Sequence, residues 1–117
     1  MADRKLELVP LYDWGMFTEP RPSVIAGPCS AETKEQVMET AKGLKELGIN
    51  VFRAGIWKPR THPGSFEGIG VEGLGWMQQV KKEYGLKIST EVASERHVYE
   101  CIKFGVDLVW LGARTTA

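Results

Sequence analysis

What this sequence lacks narrows the field first. It has no excess of charge of either sign: 15 Lys and Arg stand against 15 Asp and Glu. That balance argues against a general nucleic-acid or membrane-surface binder, which favours a basic excess. No apolar run approaches the ~18–20 residues of a transmembrane helix. The start, MADRKLELVP, lacks the apolar core of a secretory leader. The two cysteines show no paired spacing, which fits a reducing, cytoplasmic setting better than a disulfide framework. There is no low-complexity segment. What is left is an ordinary globular composition, 43% hydrophobic, in 117 residues, enough for one domain.

Residues 1–22 read as an irregular N-terminal arm, rich in aromatics and proline, with a short strand at Lys5–Val9. From Ser23 a rhythm begins. SVIAG is a short apolar run between Pro22 and Pro28, hence a strand. In TKEQVMETAKGLKELG, Val37, Met38, Ala41, Leu44 and Leu47 recur at helical spacing, and Gly48 stands where a helix ends. INVFRAG is a second strand. VEGLGWMQQVKKEYG is a second helix, through Leu74, Met77, Val80 and Tyr84. LKISTEV is a third strand. SERHVYECIKFG is a third helix, with Ser94 as N-cap and Val98, Cys101 and Ile102 on its apolar face. VDLVWLGA closes the series as a fourth strand.

Strands alternating with helices predict right-handed βαβ units and a parallel sheet, so the class is α/β. Sequential order 1-2-3-4, with the helices on one face, is expected. The chain ends directly after the fourth strand, with no helix to cover it. A (β/α)8 barrel takes ~200–250 residues. Residues 23–117 are therefore either a small open α/β sheet or half of a barrel, and the half-barrel leaves an edge suited to homo-oligomers.

In such folds function gathers at the C-terminal ends of the strands. The first strand is followed by Cys29 and Ser30, and the second by Arg53, Lys58, Arg60 and Thr61. The third ends in Thr90 and Glu91, and the fourth is followed by Ala113, Arg114 and Thr115. Arginine offers a planar fork for phosphate and carboxylate oxygens, and lysine a point charge. Four cations on one rim point to small phosphorylated or carboxylated substrates. Cys29 is either a small buried apolar residue or a metal or catalytic thiol. Glu91 either positions a cation, transfers a proton, or pairs with a neighbouring arginine. Cys101 is expected in the core, His62 and His97 at the surface, and Trp57, Trp76 and Trp110 as packing residues.

The stretches VIAGPCSAET, FRAGIWKPRT with SFEG, STEV and LGART together resemble 3-deoxy-D-arabino-heptulosonate 7-phosphate (DAHP) synthases, over roughly Val24 to Thr115. The likeness is greatest to the subgroup that includes forms fused to chorismate mutase. GPC alone is shared with the 3-deoxy-octulosonate 8-phosphate synthases, whereas KPRT is the sharper signal. The resemblance implies the first half of a (β/α)8 TIM barrel. It implies the first step of the shikimate pathway, towards the aromatic amino acids and chorismate. That step is an aldol-type condensation of phosphoenolpyruvate with erythrose 4-phosphate. A 3-deoxy-octulosonate 8-phosphate synthase, or a phosphate-binding half-barrel without catalysis, is the alternative. By the same resemblance Cys29 matches a ligand of a divalent metal (Mn, Fe, Co or Zn). Arg53, Lys58, Arg114 and the Ala113 amide match the phosphoenolpyruvate site. Arg60 and Thr61 match the erythrose 4-phosphate site. Glu91 matches an acidic residue at the third strand's end, and Lys58 and Glu91 are the catalytic candidates. The family's histidine, glutamate and aspartate metal ligands come from later strands. Neither His62 nor His97 stands in for them, so the fragment alone is expected to be inactive. His62-Pro63-Gly64 departs from the common pattern inside the loop.

Overall fold

The computed structural model describes residues 7–17, 23–58 and 68–112. Among these residues the order is a 3-10 turn (Leu11–Trp14), β1 (Ile25–Ala26), α1 (Lys34–Glu46), β2 (Val51–Arg53), α2 (Val71–Tyr84), β3 (Lys87–Val92), α3 (Glu95–Lys103) and β4 (Leu108–Leu111). The helix starts follow from their caps. The Thr33 hydroxyl accepts from the Gln36 backbone N–H at 3.0 Å, and the Ser94 hydroxyl from His97 N–H at 3.2 Å. Each such cap contributes about 1 kcal/mol. The helix ends follow from glycine. Gly48, Gly85 and Gly105 turn the chain with φ of 85, 69 and 75°, which a side chain rarely tolerates.

The four strands are parallel and lie in the order β1-β2-β3-β4, as expected. Register decides which side chains share a face. Phe52 pairs with Ile88, so Phe52, Ala54, Ile88 and Val92 point one way. On that side they form one core with Val37 and Ala41 of α1, Leu74, Met77 and Val80 of α2, and Cys101 of α3. The three helices thus cover one face. Burying each large apolar side chain contributes about 1.5–3 kcal/mol. The other face carries Val51, Arg53, Ser89, Glu91, Leu108 and Trp110.

A polar clamp ties the third βα unit to the second. Lys81 on α2 reaches Asp107 at 3.1 Å and the Gly105 carbonyl at 2.8 Å. The other Asp107 oxygen accepts from the Ile88 N–H at 2.9 Å.

Several sequence expectations are corrected. Residues 7–10 form no strand: Leu8 and Val9 are 86% and 56% exposed, and the Val9 carbonyl instead accepts from the Trp14 indole at 2.9 Å. Residues 1–6, with the rest of that expected strand, lie outside the described residues. The other strands are shorter than their apolar runs, because only the middle of each run reaches a neighbour's ladder. Leu47 and Ile102 keep helical spacing yet are 79% and 73% exposed. Leu47 falls after the last helical residue, and Ile102 lies on a flank of α3 that no described residue covers. The helix-side face of β4 is bare as expected, with Val109 and Leu111 38% and 61% exposed. No helix among the described residues is long and apolar enough to cross a membrane.

Candidate active site

The site grows from the strand ends on the face opposite the helices. After β1 the chain turns at Gly27, packed so closely on β2 that a Cβ there would lie 1.7 Å from the Arg53 carbonyl oxygen. The following loop is held at two points. The Ala31 N–H donates to the Gly55 carbonyl at 2.9 Å, and the Gln36 amide donates to the Ser30 carbonyl at 3.1 Å. These bonds leave Cys29 exposed at the rim. The buried-hydrophobe alternative for Cys29 therefore fails.

Two cations converge on that residue. Lys58 Nζ donates to the Cys29 carbonyl at 2.5 Å and lies 3.4 Å from its Sγ. Arg53 Nη2 lies 3.4 Å from the same carbonyl. The Arg53 Nε is buried and has no acceptor among the described residues. Neither cation pairs with a described carboxylate; the acidic partners go to Lys81 and Lys103. Two cations held this close with no described counter-charge repel each other, and an anion bound between them relieves that cost.

Glu91 pairs with no arginine among the described residues. Its Oε1 accepts from the Trp110 indole at 3.2 Å, and its carboxylate lies over Gly112, where a Cβ would come within 2.4 Å of Oε2. The Arg53 guanidinium sits 5.2 Å from the Trp110 ring centroid, a cation–π distance. Trp110 therefore lies between Arg53 and Glu91 and belongs to the site, not merely to the packing. Alternation along LVWL, with Leu108 on the same side, was the signal available in the sequence.

Other expectations separate cleanly. Cys101 is core, and burial followed by the charge of Glu100 raises its thiol pKa to about 11. Thr90 sits at a strand end but is fully buried on the helix side, its hydroxyl donating to the Ala54 carbonyl at 2.7 Å. It contributes nothing to the rim. His97 is half-buried rather than at the surface, and its ring stacks on Trp57. Burial, and then the charge of Arg96, lower its pKa below the usual 6.5. Arg60, Thr61, His62, Ala113 and Arg114 lie outside the described residues.

Comparison with known proteins places this arrangement. Residues 17–117 match the DAHP synthetase I family. A phospho-2-dehydro-3-deoxyheptonate aldolase of Thermotoga maritima is 42% identical over 100 residues, covering 86% of this chain and 28% of that protein. A 2-dehydro-3-deoxyphosphooctonate aldolase of Vesicomyosocius okutanii is 40% identical over 84 residues, covering 66% of this chain and 30% of that protein. The crystal structure of the Thermotoga maritima DAHP synthase superposes with a TM-score of 0.71 at 43% identity, covering 77% of this chain and 26% of that one. A truncated form of the Thermotoga enzyme gives 0.63 at 36% identity, covering 77% and 30%. These neighbours are TIM-barrel proteins, and the four parallel strands here are consistent with half of such a barrel. The chain spans less than a third of the length of each of these relatives. By the match over residues 17–117 and the shared fold, it belongs to the DAHP synthetase I family.

Proposed function

We propose that the chain supplies the substrate-binding rim of a synthase that condenses phosphoenolpyruvate with erythrose 4-phosphate, giving DAHP and phosphate. The observation that carries this reading is the convergence of Arg53 and Lys58 on the Cys29 turn without a described carboxylate to neutralise them. Arg53 and Lys58, with Arg114 and the Ala113 amide, hold phosphoenolpyruvate. Arg60 and Thr61 hold the phosphate of erythrose 4-phosphate. Offsetting three anionic groups lets the two reactants approach. The phosphoenolpyruvate methylene carbon then attacks the aldehyde carbon, water adds at the phosphate-bearing carbon, and phosphate leaves. We assign the proton transfer to Glu91, a reading supported by the Trp110 N–H that donates to its carboxylate. We place the reaction in the cytoplasm.

The family resemblance adds a divalent metal on Cys29. Among the described residues no three His, Cys, Asp or Glu side chains come together as a metal site, and Lys58 is the close neighbour of the thiol. Cys29 alone does not make such a site.

The test is steady-state kinetics in the complete enzyme, each substrate varied in turn. Losing a charge-assisted contact to a bound anion costs roughly 2–4 kcal/mol. That is on the order of 30- to 1000-fold in kcat/KM. Lys58→Ala is expected to act on the phosphoenolpyruvate term, and Arg60→Ala on the erythrose 4-phosphate term. Wild-type behaviour of both variants would sink the proposal. The 40% identity to an octulosonate-type aldolase favours a second reading, which preferential turnover of arabinose 5-phosphate would establish. Anion binding without turnover would leave a phosphate-binding module.

A further inference from the structure

The connection after β2 carries two adjacent residues that part in direction. The stem before them is anchored. Ala54 N–H donates to the Ser89 carbonyl at 3.2 Å, the Gly55 carbonyl accepts from Ala31, and the Ile56 carbonyl accepts from Gly70 N–H at 3.0 Å. From this stem Lys58 turns to Cys29. Trp57 turns to the start of α3, where its ring lies flat on His97, with centroids 3.9 Å apart and planes 5° apart. What fixes one of these side chains limits the freedom of the other, because they share one backbone link.

His97 is itself held in place. Its backbone N–H caps onto Ser94, and its Nδ1 accepts from the Ala93 N–H at 3.0 Å. That bond fixes the tautomer: the ring proton sits on Nε2, and the ring is neutral. The pKa, lowered by burial and then by the charge of Arg96, agrees with a ring kept uncharged. The imidazole is thus a rigid flat plate, set before Trp57 docks on it.

We infer that His97 is a positioning residue for Lys58, its ring stacking on Trp57 and so holding the Lys58 ammonium at the rim beside Cys29. The value of that position for catalysis rests on the substrate role proposed for Lys58. The geometry does not.

The test reads the Lys58–Cys29 approach directly on the purified chain. o-Phthalaldehyde condenses with a primary amine and a neighbouring thiol to a fluorescent isoindole, releasing two waters. Cys101 is buried, so Cys29 is the accessible thiol. Cys29→Ser and Lys58→Ala set the blanks. His97→Ala and Trp57→Ala are each expected to slow isoindole formation roughly 3- to 10-fold, the range a stacked ring pair supports. The double variant should be no slower than either. His97→Phe, which restores a flat ring, should recover most of the rate. His97→Gln, which keeps an acceptor for Ala93 but no ring, should stay slow. A wild-type rate in His97→Gln or His97→Ala overturns the inference. If His97→Ala loses its circular dichroism signal, the Gln and Phe pair decides the matter alone. In the complete enzyme, His97→Gln should raise the KM for phosphoenolpyruvate and leave the KM for erythrose 4-phosphate unchanged, a split that mere loss of folded protein does not produce. Kinetics of Lys58→Ala in the complete enzyme separate the two proposals. If that variant keeps the wild-type phosphoenolpyruvate terms while the isoindole variants behave as stated, the substrate role of Lys58 falls and the positioning role of His97 stands.

Discussion

Gly55→Ala adds one methyl group where the β1 and β2 loops touch. The new Cβ would lie 2.1 Å from the Cys29 carbonyl oxygen and 2.8 Å from Lys58 Nζ. Ordinary contact begins near 3.4 Å, so the shortfall against the carbonyl exceeds 1 Å. The lysine end can swing aside, but the Cys29 carbonyl is backbone and must move with its loop. Moving it breaks the bond from Ala31 N–H to the Gly55 carbonyl, worth about 1 kcal/mol. Overpacking adds about 1–3 kcal/mol. The exposed Lys58–Cys29 bond counts only at the low end of its class, about 1 kcal/mol. The sum is roughly 3–5 kcal/mol, or about 12–20 °C in Tm for a chain of this size. Urea titration followed by tryptophan fluorescence and circular dichroism measures it. A variant within about 0.5 kcal/mol of the parent would refute the argument, because it would mean the two loops are not in contact as described.

Three further outcomes are expected. Cys101 stays protonated to about pH 11 in the fold but only to about 9 when unfolded. The folded state binds more protons in that window, so stability should fall by up to roughly 2–3 kcal/mol as pH rises through it. Denaturant melts of the parent and Cys101→Ala should show the difference, and parallel pH curves would contradict it. Co2+ added to the chain should give no stoichiometric thiolate absorption, because Cys29 stands without described co-ligands; a tight one-to-one site would prove this wrong. The bare flank of Tyr99, Ile102, Val109 and Leu111 should drive self-association, and a monodisperse monomer in sedimentation would contradict it.

Local signals carried most of the fold. Ser94 announced a helix start by hydroxyl chemistry that acts within three residues, whereas the Thr33 cap emerged only in the structure. Gly48, Gly85 and Gly105 announced the ends by a conformation few other residues adopt. Alternation of strands and helices then dictated a parallel sheet in sequential order. The site was legible as far as strand ends predict it, which is why Cys29, Arg53 and Lys58 were found together. What escaped depends on distant pairing. Trp110 joins Glu91 and Arg53 only through the registers of β3 with β4 and β2 with β3. His97 meets Trp57 across two intervening elements, and nothing in either neighbourhood marks the other. Thr90 looked like a rim hydroxyl because its position along the strand was clear, whereas its face was fixed only by the pairing of Phe52 with Ile88.

Every ladder in the sheet joins strands that are neighbours in sequence: Ile25 with Val51, Val51 with Lys87, Ser89 with Leu108. Among the described strands none waits for a partner distant in sequence. On the ribosome such a chain assembles in the order in which it is made, each strand serving as template for the next. By the time Val92 has emerged, β1, β2 and β3 with α1 and α2 can already close their shared core, before the clamp between Lys81 and Asp107 exists. That ion pair then arrives as a latch. It is the first side-chain link that makes β4 cost something to release, and so it marks where a nascent chain stops breathing and starts to hold its shape.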